Sequence, residues 1–326
     1  MSPKHTTALT LNMLCSPRIG EYMASESYSE RLRRLLRRYN PVGVLISDRK
    51  VYAALETLRS TNASEKQLDY ARWVCDTAMH PVLQQPIPSA FRLSAFAPVT
   101  ALLALGMVSN KSPLGLVFYH WLYQSHSAGT RYCNYADTSR PLDSKRMLTA
   151  YAVSTGAACS IALGALAAVK RAPRLQPIGL VVPHLAVCVA GAASTVLNNE
   201  QDLLHGVQVT DASGRSLGVS RHAAREGVER AVLLQSLLVP TCALLVPVLT
   251  MRTLVVPRLM HTNPLMLWPT SAALVLGGVC GLTPAAAAAV PRHVTLPRER
   301  VEPELQALVD EGGRPVQEFH STRVLY

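Results

Sequence analysis

The chain has 326 residues, 16% of them charged and 49% hydrophobic, with a formal net charge of +11 and a mean hydropathy of +0.17. An average soluble chain carries roughly 25% charged residues. This composition excludes intrinsic disorder, a coiled coil, a collagen-like repeat and a small disulfide-stapled secreted fold. Residues 1–92 hold 21 of the 53 charged side chains. The expected organisation is a polar, basic, largely helical region over 1–90, a transmembrane domain over 91–291 and a C-terminal tail over 292–326.

Residues 1–20 carry Lys4 and Arg18 with no acid before Glu21, a composition weakly like a mitochondrial presequence. A helix is predicted next. Leu32, Leu35, Leu36 and Tyr39 fall at helical spacing, and Arg31, Arg33, Arg34, Arg37 and Arg38 cover the remaining faces. Two readings stay open: a helix lying on an anionic membrane, or one docked on the protein with a solvated basic side. Asn40-Pro41 ends it. Two further helices are predicted from Asp48 to Arg59 and from Glu65 to Met79, the first capped by Ser47 or Asp48. His80-Pro81 breaks the pattern.

Five apolar stretches follow, over 93–108, 147–169, 175–197, 232–251 and 266–290. A bilayer core takes about 20 apolar residues in a helix, and a soluble bundle would show a polar stripe on each helix. The predicted fold is therefore an all-α polytopic membrane protein with about five transmembrane helices, some broken by proline. Five spans would put the two polar end regions on opposite sides. Residues 113–129 are expected to be re-entrant or interfacial, or to extend the first span through a kink. Polar groups at membrane depth need protein or water around them.

Polar and helix-breaking residues inside the spans are candidates for function. His184 lies in the third stretch, and a mid-membrane histidine is either a ligand-handling group or a neutral ring bonded to a neighbouring helix. Pro240, Pro247 and Pro284 are expected to break helices, a feature transporters use to expose backbone groups near the midplane. Gly156, Ser160 and Gly164 form one small-residue ladder, and Gly277, Gly278 and Gly281 a looser one, both read as packing devices. The seven cysteines lack any CxxC pair and read as small buried hydrophobes. No metal, cofactor or nucleic-acid site is expected, and no nucleotide-binding or HExxH motif is present, so an enzyme is not expected. The basic charge points instead to anionic lipid.

The loop from His205 to Ala224 predicts a β-hairpin over 205–220: Val207 and Val209 alternate, a turn covers Asp211–Gly214, and the chain returns at Leu217-Gly218. This loop resembles the pattern G-[IV]-x-V-x-D-x-x-G-x-x-L-G-x-S-x-x-A-A of the sideroflexins, a family of mitochondrial inner-membrane carriers. Gly206, Asp211, Gly214 and Gly218 are its motif positions. Trp121 with Gln124, Ser125, His126 and Ala128 resembles the family's W-x-N-Q-S-x-N-A stretch. Tyr132 and Asn134 fit its following N-Y-x-N-R-N motif. Asn40-Pro41, His80-Pro81 and Val301-Glu302-Pro303-Glu304-Leu305 resemble three further family motifs, in order, over residues 28 to 310.

The departures are specific. Val82-Leu83-Gln84-Gln85 replaces acidic residues after His80-Pro81. Tyr123, Ser127 and Arg131 stand where the family has asparagines, and Tyr135-Ala136 replaces an Arg-Asn pair. The resemblance implies a multi-pass inner-membrane transporter of small amino acids of the serine type, by secondary or facilitated transport. A citrate or tricarboxylate carrier, or a non-transporting scaffold for respiratory-complex assembly with membrane-protein partners, is the alternative. The expected substrate-binding residues are Gln124, Ser125, His126, Arg131, Tyr132, Asn134 and His184. Arg131 would pair a substrate carboxylate in a fork.

Overall fold

The structure is a computed structural model that describes residues 27–80, 83–110, 112–134, 143–172, 174, 181–291, 294–309 and 313–321. The presequence-like segment, Pro81, Tyr135-Ala136 and residues 175–180 of the third apolar stretch lie outside the described residues. The protein is helical, with one small antiparallel sheet.

Helix α1 (Tyr28–Arg38) opens with a capping box: Ser27 Oγ accepts the Glu30 N–H and the Glu30 carboxylate accepts the Ser27 N–H. It docks on protein. Arg31 Nε donates to the Ala288 carbonyl at 2.8 Å and Tyr28 OH to that of Ala285 at 3.3 Å. Arg37 binds Asp69, and Trp73 Nε1 donates to the Arg37 carbonyl. Helices α2 (Asp48–Arg59) and α3 (Glu65–Ala78) form a hairpin closed by Val51, Leu55, Leu58, Val74 and Cys75. Ser47 is the N-cap residue of α2 but makes no side-chain cap bond.

Helix α4 (Leu93–Ser109) turns back into α5 (Pro113–Cys133). Two glycines permit the close approach. A Cβ at Gly106 would lie 2.1 Å from the Tyr119 ring, and one at Gly129 would lie 2.5 Å from the Phe91 ring. The end of α5 thus returns to the start of α4. Residues 113–129 belong to a separate antiparallel helix, not a kinked extension of the first span. Helix α6 (Ser144–Arg171) packs along both α5 and α7 (Val182–Asn198). After α8 (Glu200–His205) and the hairpin, helix α9 runs over Arg221–Thr262 and α10 over Pro264–Ala289. Helices α6, α9 and α10 are long and apolar enough to cross a membrane. Helices α4 and α7, at 17 residues each, are shorter apolar helices. At 1.5 Å per residue α5 reaches about 31 Å.

The bonds of α1 to the C-terminal end of α10 put both polar end regions on one side of the bundle. The extra antiparallel pass of α5 is why the expectation of opposite sides fails.

The prolines disturb the helices without interrupting them. Pro240, Pro247 and Pro257 each follow by two residues a π-helical segment, Leu233–Leu238, Thr241–Leu245 and Met251–Val255. Pro284 stands in the same relation to Gly278–Leu282. A proline ring clashes with the carbonyl four residues back and offers it no donor, and local π winding accommodates this. Gly278 lets the two π-containing helices touch: a Cβ there would lie 2.6 Å from the Cys242 carbonyl oxygen. Gly277 and Gly281 of the same ladder, and Gly156 and Gly164 of the other, face open space.

The predicted hairpin is present as β1 (Val207–Thr210) and β2 (Ser216–Ser220), paired Val207↔Ser220 with a bulge between Val209 and Thr210. Asp211 Oδ1 accepts from Ser213 N, Ser213 Oγ and Arg215 N, which closes the turn. Gly206 and Gly214 hold φ of +82° and +86°, where a side chain would be strained. The segment expected as a tail extends this sheet. β3 (Thr295–Pro297) and β4 (Glu318–Ser321) complete the order β2-β1-β4-β3 around Val209, Leu296 and Phe319.

Glu302 clasps this module to α9. Its Oε1 accepts the Arg221 and His222 N–H groups at 2.6 and 3.1 Å and lies 3.2 Å from His222 Nδ1, at a helix N-terminus that favours negative charge. Burial pushes the carboxyl up, but the hydrogen bonds from Ser220, its own backbone and His222 outweigh it and hold the pKa at about 2. A lowered folded-state pKa stabilises above the unfolded value, near 4.3, and that contribution disappears as pH falls through 2. Thermal unfolding from pH 6 down to pH 3 is therefore expected to show a steeper loss for the native protein than for Glu302→Gln. Parallel curves would show that the clasp contributes nothing.

Candidate functional site

A polar cleft lies among α5, α6 and α7, near the end of the bundle that carries the sheet. Gln124, Ser127, Ala128 and Arg131 line it from α5, Met147, Tyr151 and Ser154 from α6, and Ser194 and Asn198 from α7. Gln124, Ser127 and Arg131 are spaced i, i+3, i+7, so the helical period puts them on one face. Ser194 and Asn198 meet at i, i+4, with Asn198 Nδ2 donating to Ser194 O at 2.7 Å.

Among the described lining residues the cleft holds one formal charge and no carboxylate. Arg131 Nη2 donates to Gln235 Oε1 of α9 at 3.1 Å. Gln124 Nε2 is buried without a hydrogen-bond partner. An unsatisfied buried amide is costly. Beyond the rim, Arg146 pairs with Asp143 and Glu200, each at 3.6 Å. The free space between the lining groups is about 10 Å³, close to one water-sized sphere. The site is closed in this conformation, and a larger solute needs the helices to separate.

The seven residues expected at a binding site divide. Gln124 and Arg131 line the cleft. Ser125 stands at its edge, with Oγ 2.8 Å from the Tyr151 hydroxyl and from the Trp121 carbonyl. His126 lies on another face of α5, and Asn134 is the C-cap residue that follows it. His126 Nε2 is 2.9 Å from the Ala90 carbonyl oxygen, its ring stacks on Phe91, and Asn134 Nδ2 donates to Phe91 O at 2.8 Å. These two staple the end of α5 to the start of α4. Tyr132 points outward. His184 contacts Cys188 Sγ at 3.5 Å, and it sits about 15 Å along α7 from Ser194 at 1.5 Å per residue.

Other motif positions are structural. His80 Nδ1 accepts the Leu83 N–H at 3.1 Å and its backbone bonds Gln84 and Gln85, so it fastens the turn after α3. Of the three positions where asparagines are replaced, Ser127 and Arg131 line the cleft, whereas Tyr123 packs on the apolar core beside Tyr119. The sequence reading missed the cleft residues Tyr151, Ser154, Ser194 and Asn198. The i, i+4 pair of Ser194 and Asn198 was a usable signal. It also passed over His120, one turn before Gln124 and fully buried, with neither ring nitrogen hydrogen-bonded.

Arg92 is the other residue the sequence reading missed. It is 1% exposed. Nε donates to Ile87 O at 2.8 Å, Nη1 to Gly43 O at 3.3 Å and Ile46 O at 2.5 Å, and Nη2 to Asp48 Oδ1 at 3.4 Å. It joins the polar N-terminal region to the first apolar helix.

The helices, the sheet and the cleft define a multi-pass α-helical membrane protein with a small polar site inside the bundle. The family model for sideroflexins matches residues 21–323. The chain belongs to the sideroflexin family. It is 29% identical to Sideroflexin-3 of Rattus norvegicus over 83% of this chain and 85% of that one. It is 29% identical to Sideroflexin-5 of Caenorhabditis elegans over 82% and 84%, and 26% identical to Sideroflexin of Dictyostelium discoideum over 76% and 77%. No solved structure matches the chain.

Proposed function

We propose that the protein is a mitochondrial inner-membrane carrier of small carboxylate-bearing solutes, with serine-type amino acids as the leading substrates and citrate as the alternative. The observation that carries this reading is the cleft in which Arg131, Gln124 and Ser127 converge between α5, α6 and α7. A guanidinium suits a carboxylate because it presents a planar fork of donors. Amide and hydroxyl groups serve the remaining polar atoms without adding charge. The π-wound helix α9, which carries Gln235 against Arg131, is the element suited to move, since π segments mark sites where a helix rewinds.

A scaffold reading is favoured by a different observation: His126 and Asn134 bond main-chain carbonyls of the preceding loop and serve packing. Uptake of labelled serine and citrate into proteoliposomes holding the purified chain separates the two. Saturable uptake of either solute above empty vesicles is expected. No uptake of either by folded, inserted protein would leave the scaffold reading and its membrane-protein partners.

A further inference from the structure

We propose that the turn Pro41–Leu45 is a wedge that inserts into the lipid surface beside the entry of α4, and that Arg49 and Lys50 hold it against anionic headgroups. The turn is a single 3-10 element of sequence PVGVL. Its Gly43 is buried, while Val42 is 57% and Leu45 79% exposed to solvent. Exposed apolar side chains of this size, adjacent and outside any span, mark a surface that meets an apolar partner.

The position of the turn names that partner. Arg92 bonds the Gly43 and Ile46 carbonyls from the residue just before α4. A Cβ on Gly43 would lie 2.8 Å from Ser94 Cβ, so the turn is seated directly on the first residues of that apolar helix. It is therefore level with the membrane boundary at which α4 enters. Helix α1 marks the same boundary through its bonds to Ala285 and Ala288 at the end of α10. A lipid bilayer is the apolar phase always present there. Arg49 and Lys50 follow Leu45 by four and five residues and are exposed, and cations beside an apolar insertion attract anionic lipid. In the basic helix α1, by contrast, Leu35 is buried on protein and Leu32 and Tyr39 are half-buried, with Leu36 left 45% exposed. The inference rests on α4 as a membrane helix and is independent of whether the protein transports anything.

The test places an environment-sensitive fluorescent amino acid at position 45 of the full chain in phosphatidylcholine–phosphatidylglycerol vesicles. Lipids brominated high on the acyl chain are expected to quench it and aqueous iodide to leave it bright. The same probe at position 61, in the turn between α2 and α3, should behave oppositely. A probe at position 42 should repeat the result at 45. Iodide quenching at 42 and 45 equal to that at 61, without bromolipid quenching, would overturn the wedge. With Arg49→Gln and Lys50→Gln, bromolipid quenching should lose its dependence on phosphatidylglycerol. Unchanged dependence would overturn the electrostatic part.

Discussion

Arg92→Ala is expected to destabilise the protein by about 3–5 kcal/mol, the scale of removing one partner from a buried charged network. The loss is structural and precedes any question of substrate. Three main-chain carbonyls, of Ile87, Gly43 and Ile46, accept from this one guanidinium, and that of Gly43 also accepts the Ile46 N–H at 3.4 Å. Its acidic neighbour Asp48 is 69% exposed, so most of the binding comes from the carbonyls and not from the ion pair. Burial lowers the arginine pKa and Asp48 raises it, and a guanidinium stays charged under both.

Two companion variants separate donor loss from cavity formation. Arg92→Met restores most of the volume and none of the donors, and should be nearly as unstable as alanine. Arg92→Lys keeps the charge but reaches fewer carbonyls, and should fall between. Unfolding temperature in detergent, with hydrogen exchange over residues 41–48, checks both. A methionine variant as stable as the native protein would show that volume, not hydrogen bonding, holds this junction.

Arg92 also shows where sequence reasoning stops. A single arginine ahead of an apolar run reads as a flanking charge, and nothing local says that it turns back into the protein. The elements that were legible had local causes. The apolar runs gave the long helices, and the Gly206, Asp211 and Gly214 pattern gave the hairpin because its turn needs positive φ and an Asx closure. β3 and β4 were not legible. Three and four residues, one of them proline, carry no periodicity; β4 pairs with β1 about 110 residues earlier, and β3 joins the sheet only through β4. Helix α5 is hard to read from hydropathy because His120, Gln124, Ser127 and Arg131 interrupt it, although those interruptions are its inward polar face.

The same geometry explains the mixed outcome at the site. Polar residues in an apolar segment were grouped by proximity in sequence, whereas a helix sorts them by angle. Positions 124, 127 and 131 share a face and 126 lies on another, whereas Asn134 is the C-cap residue after the helix and turns its amide to Phe91. Sorting by angle separates the cleft from the staple to Ala90 and Phe91. The substitutions relative to the family then fall into place by surroundings: Arg131 and Ser127 alter the cleft, and Tyr123 fills apolar space.

Arg131→Gln is expected to lower uptake of a carboxylate-bearing substrate by about 10- to 100-fold, the scale of losing a hydrogen bond to a charged group. Folding should be preserved, because the Gln235 amide that Arg131 now binds can pair with a glutamine instead. Arg131→Lys keeps the charge but loses the fork, and should retain part of the uptake. Gln235→Leu removes the arginine's protein partner without touching its charge. If the Arg131–Gln235 bond holds the cleft shut, this variant should speed opening and raise uptake at low substrate, while Arg131→Gln lowers it at every concentration. Equal uptake by the native protein and Arg131→Gln, at equal amounts of folded protein in the vesicles, would remove Arg131 from the transport site. The cleft would then be a packing interface between α5, α6 and α7, as the contacts of His126 with Ala90 and Phe91 are on another face of the same helix.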